Sequence, residues 1–230
     1  MTVKARITEI FHSLQGEGMY LGEPTTFVRL AGCNLDCSYC DTSLANPPQA
    51  DGNNAVEMDL PEVLDKIKSI THPDDFVSFT GGEPLLQSSF IAGLMPDLKA
   101  QNYRLYLETN GTLPKELATI IPGLDVVAMD IKPPSACGKD IWNEQRQFLE
   151  AARDKAFVKM VICDKTTMEE VEQAARMIAA VDQKIVLILQ PAEGPNAPEM
   201  QMVRKYQALA GELLQHVSII RQMHKIWNIP

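Results

Sequence analysis

The chain has 230 residues, of which 45% are hydrophobic and 22% charged, a composition typical of a globular protein with one substantial core. Its formal net charge is −9 and no run of Lys or Arg offsets that charge locally, so we expect no nucleic-acid partner. The sequence has no apolar run near the length of about 18 residues needed for a membrane span, and no signal-like N-terminus, which predicts a cytoplasmic protein without a membrane partner.

Short apolar runs rich in β-branched residues alternate with amphipathic stretches along the chain. The runs predict strands at 25–32, 76–82, 103–111, 126–134, 157–164 and 184–191, with a further candidate at 217–222. Apolar residues three and four positions apart predict helices at 59–70, 88–101, 140–154, 167–181 and 198–215. Thr167 and Glu170 have the spacing of a capping box. The Pro-, Gly- and Asn-rich segment 44–56 is predicted to be a loop.

Strands that alternate with helices predict an α/β fold with a parallel sheet. About six strand–helix units are too few for an eight-fold barrel. No linker divides the sequence, so residues 1–230 are expected to form one domain. Ligands of such folds bind at the carboxyl ends of the strands. Four polar or glycine-containing loops fall at those ends and predict one shared site: GCNLDCSYCDT (32–42), TGGEP (80–84), ETNG (108–111) and DIKPP (130–134).

Cys33, Cys37 and Cys40 place three of the five cysteines within eight positions, in the pattern C-x-x-x-C-x-x-C. A disulfide framework would be denser and more evenly spread. A structural zinc site needs four ligands, and the fourth would have to come from a distant Cys or His. Three thiolates can instead hold an iron–sulfur cluster and leave one iron without a protein ligand. Three buried apolar thiols are a further alternative, although the loop is polar.

The cysteine spacing, with Tyr39 directly before the third Cys, resembles the motif of the radical S-adenosylmethionine (SAM) superfamily. The resemblance implies a partial (β/α)6-type TIM-like barrel of the radical SAM kind. It also implies a [4Fe–4S] cluster whose open iron binds SAM and whose reduced form generates a 5′-deoxyadenosyl radical. TGGEP resembles the motif of that superfamily that contacts the SAM amino group. The SAM-binding residues implied in this way are Tyr39, Asp41, Gly82, Glu83, Glu108, Asp130, Ile131, Lys132 and Gln190.

The stretch ITEIFHSLQGEGMYLGEPTTFVRLAGCNLDC (7–37) and the C-terminal HKIWNIP (224–230) resemble the 7-carboxy-7-deazaguanine synthase family. That family converts 6-carboxy-5,6,7,8-tetrahydropterin to 7-carboxy-7-deazaguanine on the route to queuosine, and releases ammonia. The resemblance implies that segment 7–29 and the tail 224–230 bind the substrate and that a loop at 33–42 holds the cluster. The implied substrate-binding residues are Leu14, Gln15, Gly16, Glu17, Arg29, Thr80, His224 and Pro230.

Arg29 lies among apolar residues of a predicted strand, where a charge needs a partner. Arg is well suited to the substrate carboxylate, although a nearby Glu could also be its partner. The resemblance implies Mg²⁺ at the same carboxylate, with Thr42 as a ligand; alternatively, Thr42 caps the loop. Likewise, Lys132 and His224 could be surface residues, and Glu108 could make only structural hydrogen bonds.

The family resemblance also implies a homodimer and an electron donor such as flavodoxin or ferredoxin. Two other functions remain open at this point. GGEPLLQ (81–87) is similar to glycyl-radical-enzyme activases, which use the same cluster and SAM on a protein partner. A non-catalytic zinc-binding protein is the third hypothesis.

Overall fold

A computed structural model describes residues 3–40 and 55–230 of the chain. The described strands form one sheet of nine, in the order β3-β1-β2-β4-β5-β6-β7-β8-β9. Their bounds are β1 (Lys4–Leu14), β2 (Pro24–Leu30), β3 (Val56–Asp59), β4 (Phe76–Gly81), β5 (Arg104–Thr109), β6 (Val126–Ile131), β7 (Ala156–Ile162), β8 (Leu187–Pro191) and β9 (Val217–Ile219). Strands β2 and β4 to β9 run parallel, whereas β1 is antiparallel to β2 and β3. The edge strands β3 and β9 do not pair, so the barrel is open and the predicted fold class is confirmed.

Helices connect the parallel strands. Their bounds are α1 (Leu60–Ile70), α2 (Ser88–Ala100), α3 (Pro114–Ile120), α4 (Pro134–Cys137), α5 (Trp142–Ala152), α6 (Met168–Val181), α7 (Met200–Gly211) and α8 (Met223–Trp227). Thr167 and Glu170 form the predicted capping box at the start of α6. None of these helices has both the length and the apolar composition needed to cross a lipid bilayer, in the part of the chain that the structure describes.

The two faces of the sheet have different surroundings because successive side chains of a strand point to opposite faces. One face packs on the helices through a large apolar core that includes Leu105 and Leu107 of β5. Tyr106 lies on the other face, in a smaller aromatic cluster near the amino ends of the strands. On that second face the residues nearer the carboxyl ends are polar, namely Arg29, Ser78, Thr80, Glu108, Asp130, Lys159 and Gln190. The aromatic cluster therefore forms the floor beneath a polar layer.

All seven strands predicted from the sequence are present, whereas β1, β3, α3, α4 and α8 were not predicted. The alternation of β1 is interrupted by a change of register between Ile7 and Glu9, which hides the period-two pattern of a strand. The predicted loop at 44–56 lies outside the described residues except for its last two, and Val56 already begins β3.

Candidate active site

A cavity of about 530 Å³ opens at the carboxyl ends of the parallel strands. It brings together most of the residues predicted from the four strand-end loops, the N-terminal segment and the tail. The predicted residues that line it are Leu14, Gln15, Gly16, Glu17, Arg29, Cys33, Cys37, Tyr39, Cys40, Thr80, Gly82, Glu108, Asp130, Lys132, Gln190, His224 and Pro230. Glu83 and Ile131 are absent from the lining. Asp41 and Thr42 lie outside the described residues, so their predicted roles stay predictions.

The cysteine-bearing loop is fixed by neighbouring loops. The Ser38 amide donates to the carbonyl of Ala136 on α4 (2.9 Å), and Lys139 Nζ donates to the carbonyl of Asn34 (3.2 Å). From the end of β5, Asn110 Nδ2 donates to Asn34 Oδ1 (2.9 Å) and lies 4.0 Å from Cys33 Sγ. The loop is therefore tied to two other strand ends.

Gly82 of the TGGEP loop lies at a position where a side chain would not fit. A Cβ on Gly82 would lie 2.1 Å from the Gly32 carbonyl oxygen and 2.9 Å from the Cβ of Cys33. The Glu83 amide donates to that same carbonyl (2.8 Å). Only glycine permits the two loops to approach so closely.

The donor set fits an iron–sulfur cluster. The thiol-bearing residues Cys33, Cys37 and Cys40 line the cavity, and thiolates are the ligands that such clusters use. Among the described residues, no three His, Cys, Asp or Glu side chains converge on a point that a single metal ion could occupy. Thiolates that bind different irons of a larger cluster need no such convergence.

Lys132 and Asp130 form an ion pair next to the cysteine loop. Lys132 Nζ lies 2.9 Å from Asp130 Oδ2 and 5.1 Å from the centre of the Tyr39 ring. Burial opposes the charge of Lys132, but Asp130, Tyr39 and Cys37 together outweigh it and raise the lysine pKa well above its ordinary value. Asp130 Oδ1 and Gln190 Oε1 are buried and have no hydrogen-bond partner within the described residues. Such acceptors on a cavity wall are suited to donors from a ligand.

Glu108 connects the SLQGEG segment to the strand ends of the cavity. Gln15 Nε2 donates to its Oε1 (2.9 Å), and Thr80 Oγ1 donates to its Oε2 (2.9 Å). Gln15 Oε1 in turn accepts from the Glu17 amide (3.1 Å). Glu108 therefore makes structural hydrogen bonds that orient two of the predicted substrate-binding side chains.

Glu17 forms an ion pair with Lys159 on β7, and Lys159 Nζ also lies 3.3 Å from Asp130 Oδ2. Burial alone would raise the pKa of Glu17, but Lys159, a hydrogen bond from Gln222 and the nearby His224 outweigh it and lower the pKa to about 2. Lys159 was not predicted as a functional residue. The signal was present, because it is a charged residue inside a buried strand, as Arg29 is.

Glu83 is fully buried behind the cavity wall. Its carboxylate accepts hydrogen bonds from the Leu85 amide, the Asn110 amide and the Thr109 hydroxyl, at 2.8 to 3.0 Å. Burial raises the pKa of Glu83 to about 7 against the effect of these donors. In this arrangement the side chain braces the TGGEP and ETNG loops.

Arg29 and the C-terminal tail form the outer part of the site. Arg29 Nε donates to Glu9 Oε1 (2.6 Å) from the neighbouring strand β1, so Arg29 has the acidic partner expected of a charge in this position. The Met223 amide donates to the Gly16 carbonyl (2.9 Å), and Ser13 Oγ donates to the carbonyl of Pro230 (3.1 Å). The tail is thus attached to the segment that carries SLQGEG.

Comparisons with known proteins agree with this geometry. Residues 27–191 match the family model of the Radical SAM superfamily. The chain is 37% identical over 241 residues to a 7-carboxy-7-deazaguanine synthase of Geobacter sulfurreducens, covering 96% of each protein. It is 32% identical to one of Methanopyrus kandleri, covering 96% of this chain and 92% of that protein. The crystal structure of QueE from Escherichia coli has a similar fold, with a TM-score of 0.68, 21% identity and coverage of 96% and 95%.

Proposed function

Because the chain belongs to the radical SAM superfamily and to its 7-carboxy-7-deazaguanine synthase family, we propose that it converts 6-carboxy-5,6,7,8-tetrahydropterin to 7-carboxy-7-deazaguanine. This ring contraction releases ammonia and supplies the route to queuosine and other 7-deazapurines. One observation carries the proposal. SLQGEG, Arg29 and the C-terminal tail, which resemble this family, line the same cavity as the cysteine loop that resembles the superfamily.

Radical SAM proteins use a [4Fe–4S] cluster and SAM. Bound to this chain, the cluster and SAM would supply the one-electron chemistry that removes a hydrogen atom from C6 of the pterin and gives one back to the rearranged ring after the contraction. In this chain the thiolates of Cys33, Cys37 and Cys40 would hold three of the irons and leave the fourth for SAM. The buried acceptors Asp130 Oδ1 and Gln190 Oε1 support a SAM site on the neighbouring strand ends.

The other proposed SAM-binding residues fall into two groups by position. Tyr39, Gly82, Glu108 and Lys132 line the cavity and remain proposed contacts. Glu83 and Ile131 lie behind the lining, so we assign them the task of shaping the strand ends around SAM. Asp41 completes the proposed set.

The substrate-side residues match the chemistry of a carboxypterin. Its amide and guanidine edge requires paired donors and acceptors, which the Gln15 side chain, the Gly16 backbone and the Glu17 carboxylate provide. The planar fork of Arg29 is suited to the substrate carboxylate. Leu14 and Thr80 would contact the pterin beside them, and the tail with His224 and Pro230 would cover it and exclude water. Mg²⁺ at the carboxylate, with Thr42 as a ligand, belongs to the same proposal; Mg²⁺ prefers oxygen ligands.

We also infer that the protein is a cytoplasmic homodimer that receives electrons from a small donor such as flavodoxin or ferredoxin. The five cysteines, three of them crowded into one loop, do not have the spacing of a disulfide framework, which supports a reducing compartment. The radical chemistry requires a one-electron donor, and two-fold dimers are the commonest oligomers.

Anaerobic turnover tests the proposal. Reconstituted protein is incubated with the carboxypterin, SAM, Mg²⁺ and a reductant, and the deazaguanine product is measured by mass spectrometry. A protein with a full complement of iron and sulfide that yields no product would contradict the proposed function. The activase hypothesis has its own readout, a glycyl radical detected by electron paramagnetic resonance on a candidate partner, and none of the comparisons favours it.

A further inference from the structure

Lys159 is a buried cation for which the proposed function has no role so far. It lies in the middle of β7, directly opposite Asp130 of β6 in the register of the sheet. Its side chain is 16% exposed, and its ammonium group pairs with Glu17 and with Asp130. A lysine in such surroundings stays charged only because both carboxylates outweigh the cost of burial, and they raise its pKa above the ordinary value.

The two carboxylates come from different sides of the cavity. Glu17 belongs to the SLQGEG segment, which is proposed to bind the pterin. Asp130 belongs to the strand end that is proposed to bind SAM, where its Oδ2 also pairs with Lys132. Lys159 is therefore the physical link between the substrate side and the SAM side.

Glu17 has neighbours from three elements. Lys159 of β7 faces its Oε2, and Gln222, directly before α8, donates to its Oε1 (2.8 Å). The charge of His224 on α8 also acts on Glu17, and Glu17 in turn acts on the buried Tyr106 of β5. Among these groups Lys159 is the cation in direct contact.

We propose that Lys159 is a positioning residue for substrate binding: it holds the Glu17 carboxylate ionised and oriented as the acceptor for the guanidine edge of the pterin, and anchors it to Asp130. The inference rests on the proposed function. An ionised carboxylate accepts more strongly than a neutral one and cannot present a competing O–H to the guanidine donors. Among the described residues, Lys159 donates to Glu17 Oε2 and Gln222 donates to Glu17 Oε1. A carboxylate oxygen can accept more than one hydrogen bond, so both oxygens can also accept from the ligand.

The test compares Lys159→Met, Lys159→Arg and Glu17→Gln with the wild-type holoenzyme, loaded with cluster and SAM under anaerobic conditions. The dissociation constant of 6-carboxytetrahydropterin is measured by calorimetry between about pH 5.5 and pH 8, alongside KM and kcat. Lys205→Met, which changes an exposed lysine of α7, is the matched control. Thermal unfolding of every variant shows whether it is folded.

Without Lys159 the burial of Glu17 raises its pKa, so the carboxyl takes up a proton as the pH falls. We expect Lys159→Met to weaken pterin binding about tenfold or more, because charged hydrogen bonds of this kind contribute that much. The loss of affinity relative to wild type should grow as the pH is lowered, because more of the Glu17 carboxyl is then protonated. Titration of the ligand affects all the proteins equally and cancels in this comparison. Lys159→Arg should restore a profile parallel to wild type. Glu17→Gln should bind weakly at every pH.

Two results overturn the inference alone. The first is a Lys159→Met variant that binds the pterin like wild type at every pH. The second is a Glu17→Gln variant with unchanged affinity, which stays informative even if Lys159→Met fails to fold. A wild-type holoenzyme that neither binds nor converts the pterin overturns the proposed function, and the inference with it.

Discussion

The Gly82→Ala substitution tests how the cysteine loop is held. The added Cβ would lie 2.1 Å from the Gly32 carbonyl oxygen and 2.9 Å from the Cβ of Cys33. Both distances are far shorter than van der Waals contact at about 3.5 Å. Neither obstacle is the far end of a side chain that could rotate away, so the TGGEP loop and the cysteine loop must move apart.

Such overpacking costs about 1–3 kcal/mol of folding free energy. Here the displacement falls on the loop that carries the proposed cluster ligands, so we expect iron and sulfide retention to drop severalfold. Gly211→Ala is the control, because a Cβ at Gly211 meets nothing within 4 Å. That variant should keep its iron and gain up to about 1 kcal/mol, since Ala favours a helix more than Gly does.

The assay is urea unfolding together with iron and sulfide analysis of anaerobically reconstituted protein. Gly82→Ala should unfold at lower urea with an unchanged slope, because the compactness of the folded state stays the same. Wild-type stability and iron content in Gly82→Ala would refute the reasoning, since the two loops would then not be in close contact.

Three further changes give measurable outcomes. Burial raises the pKa of Glu83 from 4.5 to about 7. The folding free energy that its neutral form contributes is therefore fully present below pH 4.5 and is lost as the pH rises through 7. Urea unfolding between those pH values should show a loss of about 3 kcal/mol in wild type that Glu83→Gln abolishes. Lys155 donates to three backbone carbonyls in the segment after α3. Lys155→Met should therefore lower the free energy of unfolding by about 2 kcal/mol in the same assay. Lys165→Met, which changes an exposed lysine, should leave it almost unchanged. Arg29→Ala should raise the KM for the carboxypterin about 100-fold and leave the dissociation constant of SAM unchanged; an equal effect on both would contradict its assignment to the substrate.

The inner parallel strands β4 to β8 could be predicted because most of their residues are buried on both faces, so that the strands read as continuous apolar runs. β1 could not, because it lies beside an edge strand and its register changes between Ile7 and Glu9. Helix α3 has only seven residues between Leu113 and Ile121, which is too short for a helical period to emerge.

The grouping of the site residues could be predicted from the order of the strands along the chain. Residues at the ends of parallel strands must share one edge of the sheet, so the four loops could be grouped from sequence. The partners of each residue depend on the register between strands, which no local pattern encodes. The pairing of Lys159 with Asp130 is of this kind, and so is the pairing of Arg29 with Glu9.

The cations of the cavity have a common arrangement that bears on ligand selection. Arg29 pairs with Glu9 of β1, Lys132 with Asp130 of its own strand end, and Lys159 with Glu17 of the SLQGEG segment, so each of these cations is already neutralised by a nearby carboxylate. A buried lysine without such a partner would lose its proton and its charge. The acidic partners therefore keep the two lysines charged and hold all three cations in a fixed direction, whereas the guanidinium of Arg29 is charged with or without a partner. Donors that the carboxylates do not use remain for an anionic ligand. Arg29 is already oriented by Glu9 before a ligand carboxylate binds, and this ion pair offsets part of the free-energy cost of removing water from the guanidinium. Removal of an acidic partner should consequently weaken the binding of an anionic ligand, although a simple count of charges predicts the opposite.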